Sequence, residues 1–83
     1  MKVTVRYFAS IREALGTGSD SFDTSAATLA GLRDELISRG GPYAEVLARG
    51  KAVRLALNQT MADESAALVD GAEVAFFPPV TGG

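Results

Sequence analysis

Residues 2–8 alternate, with Val3, Val5 and Tyr7 on one face and Lys2, Thr4, Arg6 and Phe8 on the other. That two-residue period predicts a strand covered on one side. A short helical turn over residues 10–15 follows, stopped by Gly16. The Gly16-Thr17-Gly18 turn then returns the chain antiparallel to the first strand, into a weak strand over 20–24 whose apolar content is Phe22. Thr28 is the N-cap of a helix running to about residue 39, along which Leu29, Leu32, Leu36 and Ile37 form one apolar stripe. Gly40-Gly41-Pro42 ends it, and a shorter helix is predicted over 43–49, closed by Gly50. Residues 52–58 alternate again, with Val53, Leu55 and Leu57 inward and Arg54 and Ala56 outward. Asn58-Gln59-Thr60 reads as a turn into a brief strand at Met61, and Asp70-Gly71 as a turn into a closing strand over 72–77. In that last strand Val74 and Phe76 share one face, and Glu73, Ala75 and Phe77 the other.

The order strand, strand, helix, strand, short strand, strand describes an α+β roll, a mixed sheet packed on one main helix in the ubiquitin-like β-grasp arrangement. The first and last strands then lie adjacent and parallel in the middle of the sheet. Domain limits follow: residues 1–77 form the β-grasp and 78–83 an extended C-terminal segment. There is no repeat, no low-complexity tract and no linker long enough to separate two domains.

Composition narrows the chemistry. The 83 residues include no Cys, no His and no Trp, which removes the thiol nucleophile, the imidazole base and the soft metal ligands, so no metal site is expected. The formal charge is −2 and no Lys/Arg run interleaves with aromatics, so nucleic acid is not an expected partner. Arg6 interrupts the only apolar stretch near the N-terminus; neither a signal peptide nor a membrane span is expected, and the cytoplasm is the expected compartment. With no Cys, disulfides say nothing about redox compartment, and the Asn58-Gln59-Thr60 sequon is read as a turn.

Two features ask for a partner. Phe8 and Phe77 both fall on the outer sheet face, where adjacent strands bring them close. Burying one phenyl is worth roughly 1.5 to 3 kcal/mol, so the pair, with Ala56, Ala75 and Met61 nearby, forms a docking hot spot. Beyond it, Pro78 and Pro79 fix φ and donate no hydrogen bond, which ends the ladder at Phe77. The segment from Pro78 to Gly83 reaches on the order of 20 Å when extended. It finishes on two glycines and a carboxylate, able to thread a narrow channel in a partner.

The sequences NQT, the DG turn and EVAFFPPVTGG, with YFASIREALG and TLAGLRDEL earlier, closely resemble the small, sulfur-carrying subunits of molybdopterin synthase, ubiquitin-like proteins of molybdenum cofactor biosynthesis. Residues 17–27 and 41–51 contribute little to the match. The resemblance implies that an adenylating, ubiquitin-activating-like enzyme uses ATP to join the Gly83 carboxylate to AMP. A persulfide sulfur on a donor protein then displaces the AMP to give a C-terminal thiocarboxylate. The loaded tail enters the large synthase subunit and its sulfur passes to cyclic pyranopterin monophosphate. Two transfers build the dithiolene, which suits a heterotetramer. On the same resemblance Phe8, Met61 and Phe77 contact partners, Pro78, Pro79, Val80, Thr81 and Gly82 lie in the partner's channel, and Gly83 carries the sulfur. The chain itself binds no cofactor and is catalytically silent without its partner. Met61 departs from the Leu common at its position, a flexible apolar exchange of small consequence. Three alternatives stay open: a carrier for the thiamine thiazole or for tRNA thiolation, a ubiquitin-like protein modifier, and an interaction module with an inert tail.

Overall fold

The computed structural model describes residues 1–78. Strand β1 (Lys2–Tyr7) leads into helix α1 (Ala9–Leu15), strand β2 (Ser19–Asp23), helices α2 (Leu29–Ile37) and α3 (Gly41–Val46), and strands β3 (Arg54–Leu57), β4 (Thr60–Ala62) and β5 (Glu73–Phe77). The five strands form one sheet in the order β2-β1-β5-β3-β4. β1 pairs antiparallel with β2 and parallel with β5, and β3 runs antiparallel to both β5 and β4. This is the ubiquitin-like β-grasp that the pattern of strands predicts, with the first and last strands side by side at the centre.

The inner face is built by alternation. Val3, Val5 and Tyr7 of β1, Leu55 of β3, and Val74 and Phe76 of β5 meet Leu29, Leu32 and Leu36 of α2 in one core closed by Ile11, Leu47 and Leu68. Full burial of each Leu, Val or Phe stabilises the fold by about 1.5 to 3 kcal/mol. Phe76 stacks on Tyr7 with centroids 6.3 Å apart, and Tyr43 meets Tyr7 in a T-shaped contact at the same distance.

Helix α2 begins as its sequence predicts: the Thr28 hydroxyl accepts from the Gly31 N–H at 3.2 Å. The free N–H groups of Leu29 and Ala30 donate to the carbonyls of Ala66 and Glu64, so the crossing segment between β4 and β5 satisfies the helix start. The helix ends at Ile37 and not near residue 39. Arg39, outside it, bridges to Asp20 at 2.8 Å and lies over the rings of Phe22 and Tyr43. Gly40-Gly41-Pro42 starts α3 as well as ending α2. Gly40 turns with φ of 75°, and Pro42 sits in the first turn, where its fixed φ suits a helix and its missing N–H costs nothing. α3 therefore covers Gly41–Val46, earlier than the expected 43–49. Strand β1 ends at Tyr7, β2 spans Ser19–Asp23, and β3 and β5 begin at Arg54 and Glu73, each one or two residues from expectation.

Arg33 is buried on α2, 2% exposed, among apolar neighbours. Its guanidinium donates to the carbonyls of Leu47, Ala48 and Lys51 at 2.7, 2.6 and 3.1 Å, and pairs with Glu64 at 2.7 Å. Arg49 holds the other side of Glu64 and also Asp34. The loop from α3 to β3, short of regular hydrogen bonds, is thus fastened by one side chain.

Candidate functional site

The outer face of the sheet is where the chain departs from ordinary surface. In the parallel register Arg6 faces Ala75 and Tyr7 faces Phe76, so the next residues, Phe8 and Phe77, come together. Their rings stack with centroids 4.8 Å apart and planes inclined by 11°. Phe8 is no longer in β1: it caps α1 with extended backbone, and its N–H still donates to the Phe76 carbonyl at 3.2 Å. Each ring is half-buried, and such a pair is stabilised by about 0.5 to 1.5 kcal/mol beyond area burial.

Antiparallel pairing of β3 places Arg54 opposite Phe77 and Ala56 opposite Ala75, while β4 places Met61 opposite Ala56. Met61 is 55% exposed, a large apolar side chain with no cover. Two shallow clefts meet at these residues. One, of about 410 Å³, is lined by Arg6, Phe8, Ala56, Gln59, Met61, Glu73, Ala75 and Phe77. The other, of about 380 Å³, is lined by Phe8, Ala9, Arg54, Met61, Phe77 and Pro78. Phe8, Met61 and Phe77 are common to both. The rim is polar and self-paired: Arg6 meets Glu73 at 3.3 Å and lies 5.8 Å from the Phe8 ring centroid, and the Gln59 amide donates to Glu73 at 3.4 Å. An apolar centre inside a polar rim is the anatomy of a protein interface.

The hairpin that carries Met61 is fixed by its turn. Asn58 and Gln59 have φ of 50° and 69°, the left-handed pair that a two-residue hairpin requires. The Asn58 N–H donates to the Glu73 carbonyl and its side-chain oxygen accepts from the Glu73 N–H at 2.9 Å, which locks the hairpin onto β5.

Phe8, Met61 and Phe77, expected as partner contacts, are thus brought into one patch, and Pro78 lies at its edge. Pro79, Val80, Thr81, Gly82 and Gly83 lie outside the described residues. One expectation needs correction: Ala56 points outward by strand parity yet is 4% exposed, because its single methyl lies low beside the longer side chains of Met61, Glu73 and Phe77 that line the same cleft. It forms the floor of the patch. Ala9 and Gln59 were not singled out by sequence reasoning. Gln59 follows from the hairpin geometry, whereas nothing in the sequence marks Ala9. Among the described residues no three Asp or Glu side chains gather closely enough to hold a metal ion. No helix among them is long and apolar enough to cross a membrane.

The ThiS family profile matches residues 5–83. The chain belongs to the ThiS family. It is 40% identical to the molybdopterin synthase sulfur carrier subunit of Escherichia coli (strain K12) and 38% identical to that of Haemophilus influenzae, in each case over 98% of this chain and 99% of the relative. The resemblance read from NQT and EVAFFPPVTGG is therefore upheld over nearly the whole length. Among solved structures, SAMP1 from Haloferax volcanii superposes with a TM-score of 0.81 at 25% identity, covering all of both chains. A protein-protein complex of subunits 1 and 2 of molybdopterin-converting factor from Helicobacter pylori 26695 contains a chain matching with a TM-score of 0.70 at 30% identity, again over all of both.

Proposed function

We propose that this ThiS-family chain is the cytoplasmic sulfur carrier of molybdopterin synthase. Its Gly83 carboxylate is adenylated by an ATP-using partner enzyme and converted to a thiocarboxylate with sulfur from a donor protein. The thiocarboxylate then donates that sulfur to cyclic pyranopterin monophosphate inside the large subunit. The observation that carries the reading is the stacked Phe8–Phe77 pair beside exposed Met61, directly adjoining Pro78, where the tail begins. Docking this patch fixes the tail's root at the partner's surface, and from there on the order of 20 Å of chain reaches the chemistry. Phe8, Met61 and Phe77 are the partner contacts, Pro78, Pro79, Val80, Thr81 and Gly82 the channel segment, and Gly83 the reactive terminus. Acid-base groups and the pterin site belong to the large subunit, and two copies of each chain form a heterotetramer. The likeness to a complex of two molybdopterin-converting subunits supports the partner.

The likeness to SAMP1, small archaeal modifier protein 1, favours a second reading in which Gly83 forms isopeptide bonds to lysines. One preparation separates the two. After incubation with an adenylating enzyme and a sulfur donor, the carrier shows the mass increase of one oxygen exchanged for sulfur. Appending a single alanine after Gly83 abolishes both that increase and molybdopterin formation while the domain stays folded. Normal molybdopterin formation by the extended chain would overturn the proposal, and Gly83-linked lysine conjugates without the thiocarboxylate would favour the modifier.

A further inference from the structure

Three residues other than glycine hold left-handed backbone among the described residues, Ala9, Asn58 and Gln59. Ala9 and Gln59 line the clefts around Phe8, Met61 and Phe77. For Asn58 and Gln59 the hairpin supplies the reason. Ala9 has none of that kind. Its φ of 51° falls in the small region that a Cβ disfavours, and it has no polar side chain to offset the cost.

The surroundings show what the conformation achieves. Phe8 is anchored twice: its N–H donates to Phe76 of β5, and its carbonyl accepts from the N–H groups of Ile11 and Arg12 at 3.2 and 3.3 Å. The first anchor continues the β1–β5 ladder and the second starts α1. The chain meets both by turning sharply at Ala9, and the ring of Phe8 is thereby left over Phe77. Ala9 is itself exposed and lines the same cleft as Phe8, Arg54, Met61, Phe77 and Pro78. Strained backbone that persists next to a binding surface points to a use there.

We propose that Ala9 is a positioning residue of the docking surface. Its left-handed backbone, kept at a cost in stability, sets the pose of Phe8 and places a methyl group on the rim that the partner closes over. Glycine at this position accepts φ of 51° without penalty. It lacks both the methyl and the narrow left-handed well that a Cβ imposes, so it surrenders a rim contact and frees the Phe8 junction. The inference rests on the proposed function, since the partner is taken to be the large subunit of molybdopterin synthase.

The test is Ala9→Gly in the full chain, followed by thermal melting and by titration against the purified large subunit, with the wild-type chain measured alongside. Relief of the left-handed strain outweighs the added freedom of the unfolded chain, so the melting temperature rises by about 2 to 6 °C. Loss of the methyl and of the fixed ring weakens binding about 3- to 10-fold. A residue with a purely structural role would move stability and affinity in the same direction. An unchanged or lowered melting temperature would show that Ala9 is not strained and would overturn the inference, as would unchanged or tighter binding by the glycine variant. Absence of binding by the wild-type chain would instead sink the functional reading, and this inference with it.

Discussion

Phe76 and Phe77 are neighbours in sequence with opposite duties, and truncating each to alanine separates core from interface. Phe76 has no exposed surface, stacks on Tyr7 and touches the centre of the core. Phe76→Ala removes a buried ring from an 83-residue chain and costs about 3 to 5 kcal/mol, much of the stability available to so small a domain. Phe77 is half-buried, and its main contact is the stack on Phe8 at 4.8 Å. Phe77→Ala forfeits that pair and part of one ring's burial, about 1 to 1.5 kcal/mol of stability. Under the proposed function the rest of the ring's apolar area is covered when the partner docks, so binding to the large subunit should weaken by about 1 to 3 kcal/mol, roughly 5- to 150-fold in Kd. Phe8→Ala behaves alike. The assays are thermal or urea unfolding of both variants and calorimetric titration of Phe77→Ala against the large subunit. If Phe77→Ala proved more destabilising than Phe76→Ala while binding normally, the assignment of the two sheet faces would be wrong.

Arg33→Met keeps the apolar stem but leaves the Leu47, Ala48 and Lys51 carbonyls without their shared donor, so urea unfolding should show a loss of about 3 kcal/mol; a loss below about 0.5 kcal/mol would mean that water replaces the clamp. Tyr7→Phe removes a buried hydroxyl that has no hydrogen-bond partner among the described residues and should stabilise the fold at neutral pH by about 1 kcal/mol, measured by the same unfolding. Burial first, then the neighbouring Tyr43 and Asp20, push the Tyr7 hydroxyl above its ordinary pKa. Below the unfolded value near pH 10 the hydroxyl is neutral in both states, and as pH rises beyond it ionisation favours the unfolded chain, so stability falls. Wild type should lose more stability than Tyr7→Phe between pH 9 and pH 11, and parallel losses would contradict this. Thr28→Ala deletes the hydroxyl that caps α2 at Gly31 and should cost about 1 kcal/mol in thermal unfolding, a value near zero showing that the Ala66 and Glu64 carbonyls suffice.

Much of this architecture was legible because local signals agreed with burial. Val3, Val5 and Tyr7 alternate with polar residues and are all buried; Gly16 closes α1 in the left-handed conformation that its type suggests. Phe8 and Phe77 can be assigned to the outer face from parity alone, and the turn read over Asn58-Gln59-Thr60 puts Met61 near them, although Thr60 itself belongs to β4. What escaped the sequence depended on tertiary context. Arg33 falls at an angle of α2 shared with Leu29 and Leu36, so periodicity says buried and residue type says exposed; only the loop carbonyls that converge on it decide the matter. Gly40-Gly41-Pro42 carries both a stop signal and a start signal, and a pattern read for the first conceals the second. Ala9 could not be found at all, because alanine has no sequence signature for positive φ. Ala56 shows the reverse limit: parity gives direction, but exposure depends on the size of the neighbours.

A single pairing accounts for the candidate site. Because β1 and β5 are parallel, both run to the same end of the sheet, and the register Tyr7 to Phe76 brings Phe8 and Phe77 together there. A slip of one residue would turn Phe77 into the core and Phe76 out to solvent, so burial of the inner face holds the outer patch in register as well. Pro78 follows at that same end and cannot donate to the ladder, which is why the tail's root adjoins the patch and does not emerge across the fold. β3 begins there too, with Arg54 opposite Phe77, and its hairpin brings Met61 to the same clefts. The outer patch and the start of the tail are therefore consequences of the topology rather than separate inventions. Under the proposed function, any partner that acts on Gly83 must grip this end, so the adenylating enzyme and the large subunit compete for Phe8, Met61 and Phe77, and sulfur loading and sulfur transfer occur in separate complexes.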